Sequence, residues 1–240
     1  MIDFHSHILP GMDDGAKDPT VSVNLLQTVQ KQGVTTVVAS SHYYGEEESV
    51  DSFLQRRSHA YETLNQTGLL SSLPEIRLGC EVHLSEGLCR REGLERLCIQ
   101  GTDVILLEMP YEIWQPWLLE SIYYIIAVRR LRPVIAHLDR YREMLRYAEM
   151  FHQLLSMDLT VQLNADAFCG FFFPKTVRYA MSSGKPIVLG SDMHNMTARP
   201  PYMEKAANAI RRRYGEGTLA AMNRRAEELL ASGQAADQQR

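Results

Sequence analysis

Seven short runs of branched and apolar residues, each closing on a side chain able to bind a metal or a substrate, constrain this 240-residue chain more than any other feature. They are IDFHSH at 2–7, TTVVASSH at 35–42, EIRLGCEVH at 75–83, DVILLEM at 103–109, PVIAHL at 133–138, TVQLNA at 160–165 and PIVLGSD at 186–192. Such composition reads as β-strand. Between most of the runs lie segments of helical periodicity. In the first, Asp18 caps, Pro19 opens the first turn, Val21, Leu25, Leu26 and Val29 share a face, and Gly33 stops the helix. The connectors 51–67, 116–130, 142–156 and 174–183 follow the same pattern. This alternation predicts an α/β fold of parallel strands with helical crossovers. Continuously apolar strands predict a sheet covered on both faces. With no linker or break in composition, residues 1–230 read as a single domain and the small, polar stretch 231–240 as a frayed tail.

The strand ends carry the functional signal. In a parallel β/α barrel the C-terminal strand ends converge on one mouth, where active sites are built. Run one ends in His5 and His7, which alternate and so share a face. The following runs end in His42, Glu81, Glu108, His137, Asn164 and Asp192, with His194 just beyond the last. One histidine in such a place is ordinarily a hydrogen-bonded structural residue, and a lone Glu108 could simply cap a turn. The joint pattern points instead to a metal centre. Its candidate ligands are His5, His7, His42, His137 and His194 with Asp14, Glu81, Glu108 and Asp192. No cysteine holds a ligand position, which argues against a closed structural zinc site. Mixed nitrogen and oxygen donors suit manganese, iron or zinc in an open catalytic site. The donors exceed the needs of one ion, so two or three divalent ions are expected, with a small positive balance to attract an anion. His59 and His152 sit on expected helices and His83 follows Glu81 by two; all three read as non-ligands. Asp3 is expected to orient a ligand from behind.

A formal charge of −4 gives no reason to expect nucleic acid or an anionic membrane as partner. The longest apolar stretches fall short of the ~20 residues that a membrane-spanning helix needs. Cys80, Cys89, Cys98 and Cys169 show no CxxC spacing and no cationic, apolar leader precedes them, so they read as packing residues of a cytoplasmic protein.

DFHSHILPGMDDG at 3–15, then His42, GCE at 79–81, EMP at 108–110, HLDR at 137–140 and GSDMHN at 190–195, resembles the PHP (polymerase and histidinol phosphatase) superfamily. The likeness is strongest to its bacterial manganese-dependent protein tyrosine phosphatases of capsule and exopolysaccharide synthesis, and it runs to about residue 230. The resemblance implies a distorted seven-stranded β/α barrel, with a manganese centre of two or three ions on the nine ligands above. It also implies phosphate binding by Arg140 and Arg199, and a phosphotyrosine protein as substrate, the tyrosine-rich tail of a bacterial tyrosine autokinase. The chain departs from the family at Tyr43, at Leu138 and Asp139, and in the bulky ADAFCGFFF at 165–173, which bear on substrate fit.

A cysteine-dependent phosphatase needs Arg six residues after its nucleophile. Those positions hold Glu86, Glu95, Val104 and Lys175, so that mechanism is excluded. The rival readings are a small-molecule phosphatase of the histidinol-phosphate type and a non-catalytic metal-binding partner. A proofreading exonuclease is disfavoured because no basic track is present.

Overall fold

The first crossover forms as its residues dictate. Asp18 accepts a hydrogen bond from the Val21 amide at 3.0 Å and Pro19 opens α1 (Pro19–Lys31), which buries Val23, Leu25, Leu26 and Val29. Val21 stays partly exposed, and the chain turns out of the helix at Gly33 with φ +84°. The structure, a computed structural model, describes residues 1–231. The helices α2 (Val50–Asn65), α3 (Pro116–Ala127), α4 (Ala148–Ser156) and α5 (Lys175–Ser182) occupy the expected connectors. Ser49 caps α2, and Arg142–Arg146 forms a 3-10 turn ahead of α4. Two helices close the chain, α6 (Met203–Tyr214) and α7 (Glu216–Ala231). The stretch 231–240, expected to fray, begins on the last residue of α7; residues 232–240 lie outside the described residues.

All strand pairs are parallel, but the count differs from the expected seven. Among the described residues nine strands form: β1 (Ile2–Ser6), β2 (Thr36–Ala39), β3 (His42–Tyr43), β4 (Glu75–Leu78), β5 (Glu81–His83), β6 (Val104–Glu108), β7 (Arg132–Ile135), β8 (Thr160–Asn164) and β9 (Ile187–Gly190). They make a three-stranded sheet β1-β2-β4 and a six-stranded sheet β3-β5-β6-β7-β8-β9. The second and third runs each break midway, so that their first halves pair in one sheet and their second halves in the other. Serine hydroxyls meet backbone groups where the second run breaks. Ser6 N–H donates to Ser40 Oγ at 3.0 Å and Ser6 Oγ to Val38 O at 2.7 Å, replacing ladder bonds. The register of β1 against β2 slips between Asp3 and Ser6 as a bulge. A parallel bridge from Ser6 to Met193 joins β1 to the segment after β9, backed by Asp192 N–H to His5 O at 2.7 Å.

Inward side chains fill the space between the strands. Phe4, Val38, Val104, Leu106, Val134, Ala136 and Val188 pack together, and Ala226, Leu229 and Leu230 of α7 pack onto them. The strands' outer faces bury a larger cluster against the helices. Gly190 permits the close approach of β9 and β1: a β-carbon there would lie 2.7 Å from both the His5 Cβ and the Gln162 Nε2. No helix among the described residues is long and apolar enough to cross a membrane.

Candidate metal centre

Because the strands are parallel, their C-terminal ends bring donors from distant parts of the chain to one rim. Glu81 is the hub, fully buried at the start of β5. Its Oε2 lies 3.1 Å from His5 Nε2, 3.3 Å from His7 Nε2 and 3.2 Å from His42 Nδ1. Its Oε1 lies 2.7 Å from His137 Nε2, which is also 3.5 Å from Glu108 Oε1. Asp192 Oδ1 stands 3.5–3.7 Å from the His5, His7 and His194 rings. Asp14, two-thirds exposed, reaches in from the DDG turn to His194 Nε2 at 3.1 Å and His42 Nε2 at 3.7 Å. The nine candidate ligands thus form one connected cluster. Three subsets have donor atoms all within 4.8 Å of one another: His7, Asp14, His42 and His194; His5, His7 and Glu81; His42, Glu81 and Glu108.

The surroundings fix which imidazole nitrogens face inward. Gln162 Oε1 accepts the His137 backbone N–H at 2.6 Å, which orients that amide, and lies 3.1 Å from His5 Nδ1. Asp13 Oδ2 lies 2.8 Å from His7 Nδ1, and the Asp192 carbonyl oxygen 3.0 Å from His194 Nδ1. Each partner only accepts, so each Nδ1 carries the proton and each Nε2 is left as a donor toward the cluster. The Nε2 atoms of His5 and His7 face each other at 3.1 Å with a carboxylate oxygen beside them. Two lone pairs that close require a proton or a cation between them. His137 Nδ1 is likewise buried without a hydrogen-bond partner. The donor set therefore fits divalent cations.

The titration tendencies agree. Burial pushes the His7 and His137 imidazolium ions toward losing their protons. Asp13 and Glu81 outweigh this for His7, and Glu81 with Glu108 for His137, raising them to about 10 and about 9. These donors attract positive charge more strongly than a free imidazole does. Burial and the charge of His7 push His42 down and His194 to about 4, so both meet the rim as neutral rings. His137 and Asp192 have φ of +31° and +52°, left-handed values for non-glycine residues at the turns where β7 and β9 end. Such backbone costs about 1–3 kcal/mol each and persists where the surroundings over-determine it.

Arg140 and Arg199 converge on the same carboxylate. An Arg140 Nη contacts Asp192 Oδ2, Arg199 Nη2 lies 2.6 Å from Asp192 Oδ1, and Arg199 Nη1 lies 2.7 Å from His194 Nε2. Two guanidinium groups beside the donor cluster supply a fork for an anion. Aromatic rings flank it: Tyr111 stacks on His137 at 6.0 Å and 16°, and Tyr44 on His42 at 5.4 Å and 28°.

Two contributors, Gln162 and Asp13, escape a reading of strand ends alone. Gln162 and Asn164 link into the cluster, with Gln162 Nε2 donating to Asn164 Oδ1 at 2.8 Å and Asn164 Nδ2 to Asp192 Oδ2 at 3.0 Å. Asp13, beside Asp14 in the sequence, also accepts the His42 amide at 2.9 Å. His83 reaches the edge of the centre, its Nδ1 3.1 Å from Glu108 Oε2, but belongs to none of the three donor groups. His59 lies on α2, and exposed His152 lies 3.4 Å from Tyr179 Oη. Asp3 touches no ligand ring. Its Oδ1 accepts the backbone amides of Ser191 at 2.7 Å and His5 at 3.4 Å, holding β1 and the loop after β9 together.

Parallel strands that gather nitrogen and oxygen donors and two arginines at one rim define an α/β protein built around a metal-type site. The chain belongs to the capsular polysaccharide synthesis CpsB/CapC family, whose profile matches residues 1–230. It is 30% identical over 230 residues to the tyrosine-protein phosphatase CpsB of Streptococcus pneumoniae, covering 90% of this chain and 91% of that one. With the tyrosine-protein phosphatase YwqE of Bacillus subtilis it shares 27% identity over 240 residues, 96% of this chain and 91% of the other. A crystal structure from work on YwqE and CpsB, described there as unique metal-dependent tyrosine phosphatases, superposes with a TM-score of 0.81. The identity is 25%, over 96% of this chain and 94% of that one.

Proposed function

We propose that this chain is a metal-dependent phosphatase that hydrolyses phosphotyrosine on protein, acting on the tyrosine-rich tail of a bacterial tyrosine kinase in capsule or exopolysaccharide regulation. The observation that carries this reading is the meeting of inward-facing Nε2 atoms, the Glu81 carboxylate and two arginines at one rim. The names of the relatives support the tyrosyl substrate. In this reading His5, His7, Asp14, His42, Glu81, Glu108, His137, Asp192 and His194 hold two or three divalent ions, manganese before iron or zinc. Residues 1–230 act as one domain, its seven sequence runs wrapped as a distorted barrel. The α7 residues packed on the inward side chains support that closure. Four free thiols fit a reducing, cytoplasmic setting.

Bound divalent ions supply Lewis acidity and a water ionisable near neutral pH. The chain's own residues do the rest. Arg140 and Arg199 grip the phosphoryl oxygens and take up charge that develops on them. Gln162, Asp13 and the Asp192 carbonyl hold the Nδ1 side of three imidazoles, so that each Nε2 faces the site. Tyr111 and Tyr44 offer ring faces to the phenyl group. A phenol leaving group, with a pKa of about 10, needs less protonation than an alkoxide.

Phosphate release from a phosphotyrosyl peptide, a phosphoseryl peptide and histidinol phosphate, each with manganese, tests the substrate. The phosphotyrosyl peptide is expected to show a kcat/KM at least about 100-fold above the other two, roughly 2.7 kcal/mol of discrimination. Equal or faster turnover of histidinol phosphate would reassign the site to small-molecule hydrolysis.

A further inference from the structure

The loop that leaves the rim after Asn164 ends in three phenylalanines, two of which the fold does not bury. Phe171 is 89% and Phe172 80% exposed. Phe173 turns inward, edge-on to Phe168 at 5.2 Å, with the Arg213 guanidinium 5.1 Å from its ring centroid. Between this loop and α6 lies a groove of about 370 Å³, bordered by Phe171, Phe173, Lys205, Arg212 and Arg213. That volume is in the range of pockets that hold one small ligand or side chain. The three cations share a face of α6, at i, i+7 and i+8.

Lys205, Arg212 and Arg213 form no ion pair with a carboxylate among the described residues, whereas neighbouring Arg211 is held by Glu216 at 2.7 Å and by Asn208 at 3.1 Å. The nearby acids are Asp166, whose charge acts on the Cys169 thiol with the opposite sign to that of Lys205, and Glu204, which lines an adjoining groove. The groove therefore combines aromatic faces with a surplus of cations in a concave space. An aryl group carrying an anion has the complementary chemistry, its ring on the phenylalanines and its charge among the cations. The loop that borders the groove starts at Asn164, and α6 begins four residues after Arg199.

We propose that the groove between loop 165–173 and α6 is a docking subsite for a second phosphotyrosine on the same substrate polypeptide. This rests on the phosphotyrosyl-protein reading above. One phosphorylated side chain held in the groove raises the effective concentration of the next at the metal centre. The subsite acts on KM and leaves the chemical step alone.

The test uses the full chain, the surface double variant Lys205→Ala/Arg212→Ala and, separately, Phe171→Ala. Each is assayed on singly and doubly phosphorylated versions of one peptide and on p-nitrophenyl phosphate. The unaltered protein is expected to show a KM about tenfold lower for the doubly phosphorylated peptide. Both variants should erase that advantage, with kcat and p-nitrophenyl phosphate kinetics unchanged. An advantage retained in the variants, or absent from the unaltered protein, overturns the subsite. Retained advantage together with lost sedimentation on phosphatidylserine vesicles would assign the surface to a membrane instead. Hydrolysis of p-nitrophenyl phosphate with neither peptide turned over would be a distinct result, overturning the phosphotyrosyl-protein reading itself.

Discussion

Glu81→Gln is expected to lower kcat by at least about 10³-fold and to remove most of the bound metal, while the far-ultraviolet circular dichroism stays unchanged. The substitution keeps the shape of the side chain and removes its charge. Both carboxylate oxygens are committed, Oε2 to His5, His7 and His42 within 3.3 Å and Oε1 to His137 at 2.7 Å. Burial alone would raise the Glu81 carboxyl, yet the facing His5 and His137 hold it well below its ordinary value. Its negative charge is thus what balances positive charge at the centre. An amide oxygen can replace one contact, but the amide nitrogen donates to an imidazole Nε2 lone pair that a cation would otherwise take. Steady-state kinetics and elemental analysis of the purified variant check the expectation. Retention of a tenth or more of the activity with a full metal complement would remove Glu81 from its central role.

Gly15→Ala is expected to cost about 3 kcal/mol of stability and to weaken metal binding at the same time. A β-carbon at Gly15 would lie 2.3 Å from the His7 carbonyl oxygen and 2.5 Å from the His7 Cβ, atoms of a strand with no room to yield. The DDG turn is folded onto β1 by the Ala16 amide on His7 O at 3.0 Å and the Gly15 amide on Asp13 Oδ1 at 2.9 Å. Pushing the turn away breaks both bonds and withdraws Asp13 from the His7 ring and Asp14 from His194. Urea titration of metal-free protein should show a lower midpoint with an unchanged slope. Unchanged midpoint and unchanged metal affinity would mean that the turn can relax without disturbing β1.

The site was legible in the sequence because strand periodicity and parallel topology act together. His5 and His7 alternate on one strand, and parallel crossovers send every strand's C-terminal end to the same rim. The remote Glu81, His137 and Asp192 therefore meet them without any local signal. The broken second and third runs were not legible. Periodicity does not reveal that Ser6 and Ser40 will spend their hydroxyls on backbone groups, so the second run reads as continuous across Ser40–Ser41. Gln162 was overlooked for a related reason. An amide inside an apolar strand has no distinctive spacing, and its role appears only when His5 and His137 converge on its oxygen. Tertiary packing also acts at α7, where Leu229 and Leu230 close onto the strands' inward face.

The central claim is that His5, His7, His42, His137 and His194 with Asp14, Glu81, Glu108 and Asp192 gather divalent ions at the strand ends. Anomalous diffraction at the manganese edge, from crystals grown with Mn²⁺, measures this directly. The account predicts two or three peaks around the Glu81 carboxylate, each within about 2.0–2.4 Å of donors from this set, all abolished together with phosphate release by a chelator. Peaks only elsewhere on the surface, or full activity in metal-stripped protein, would contradict it.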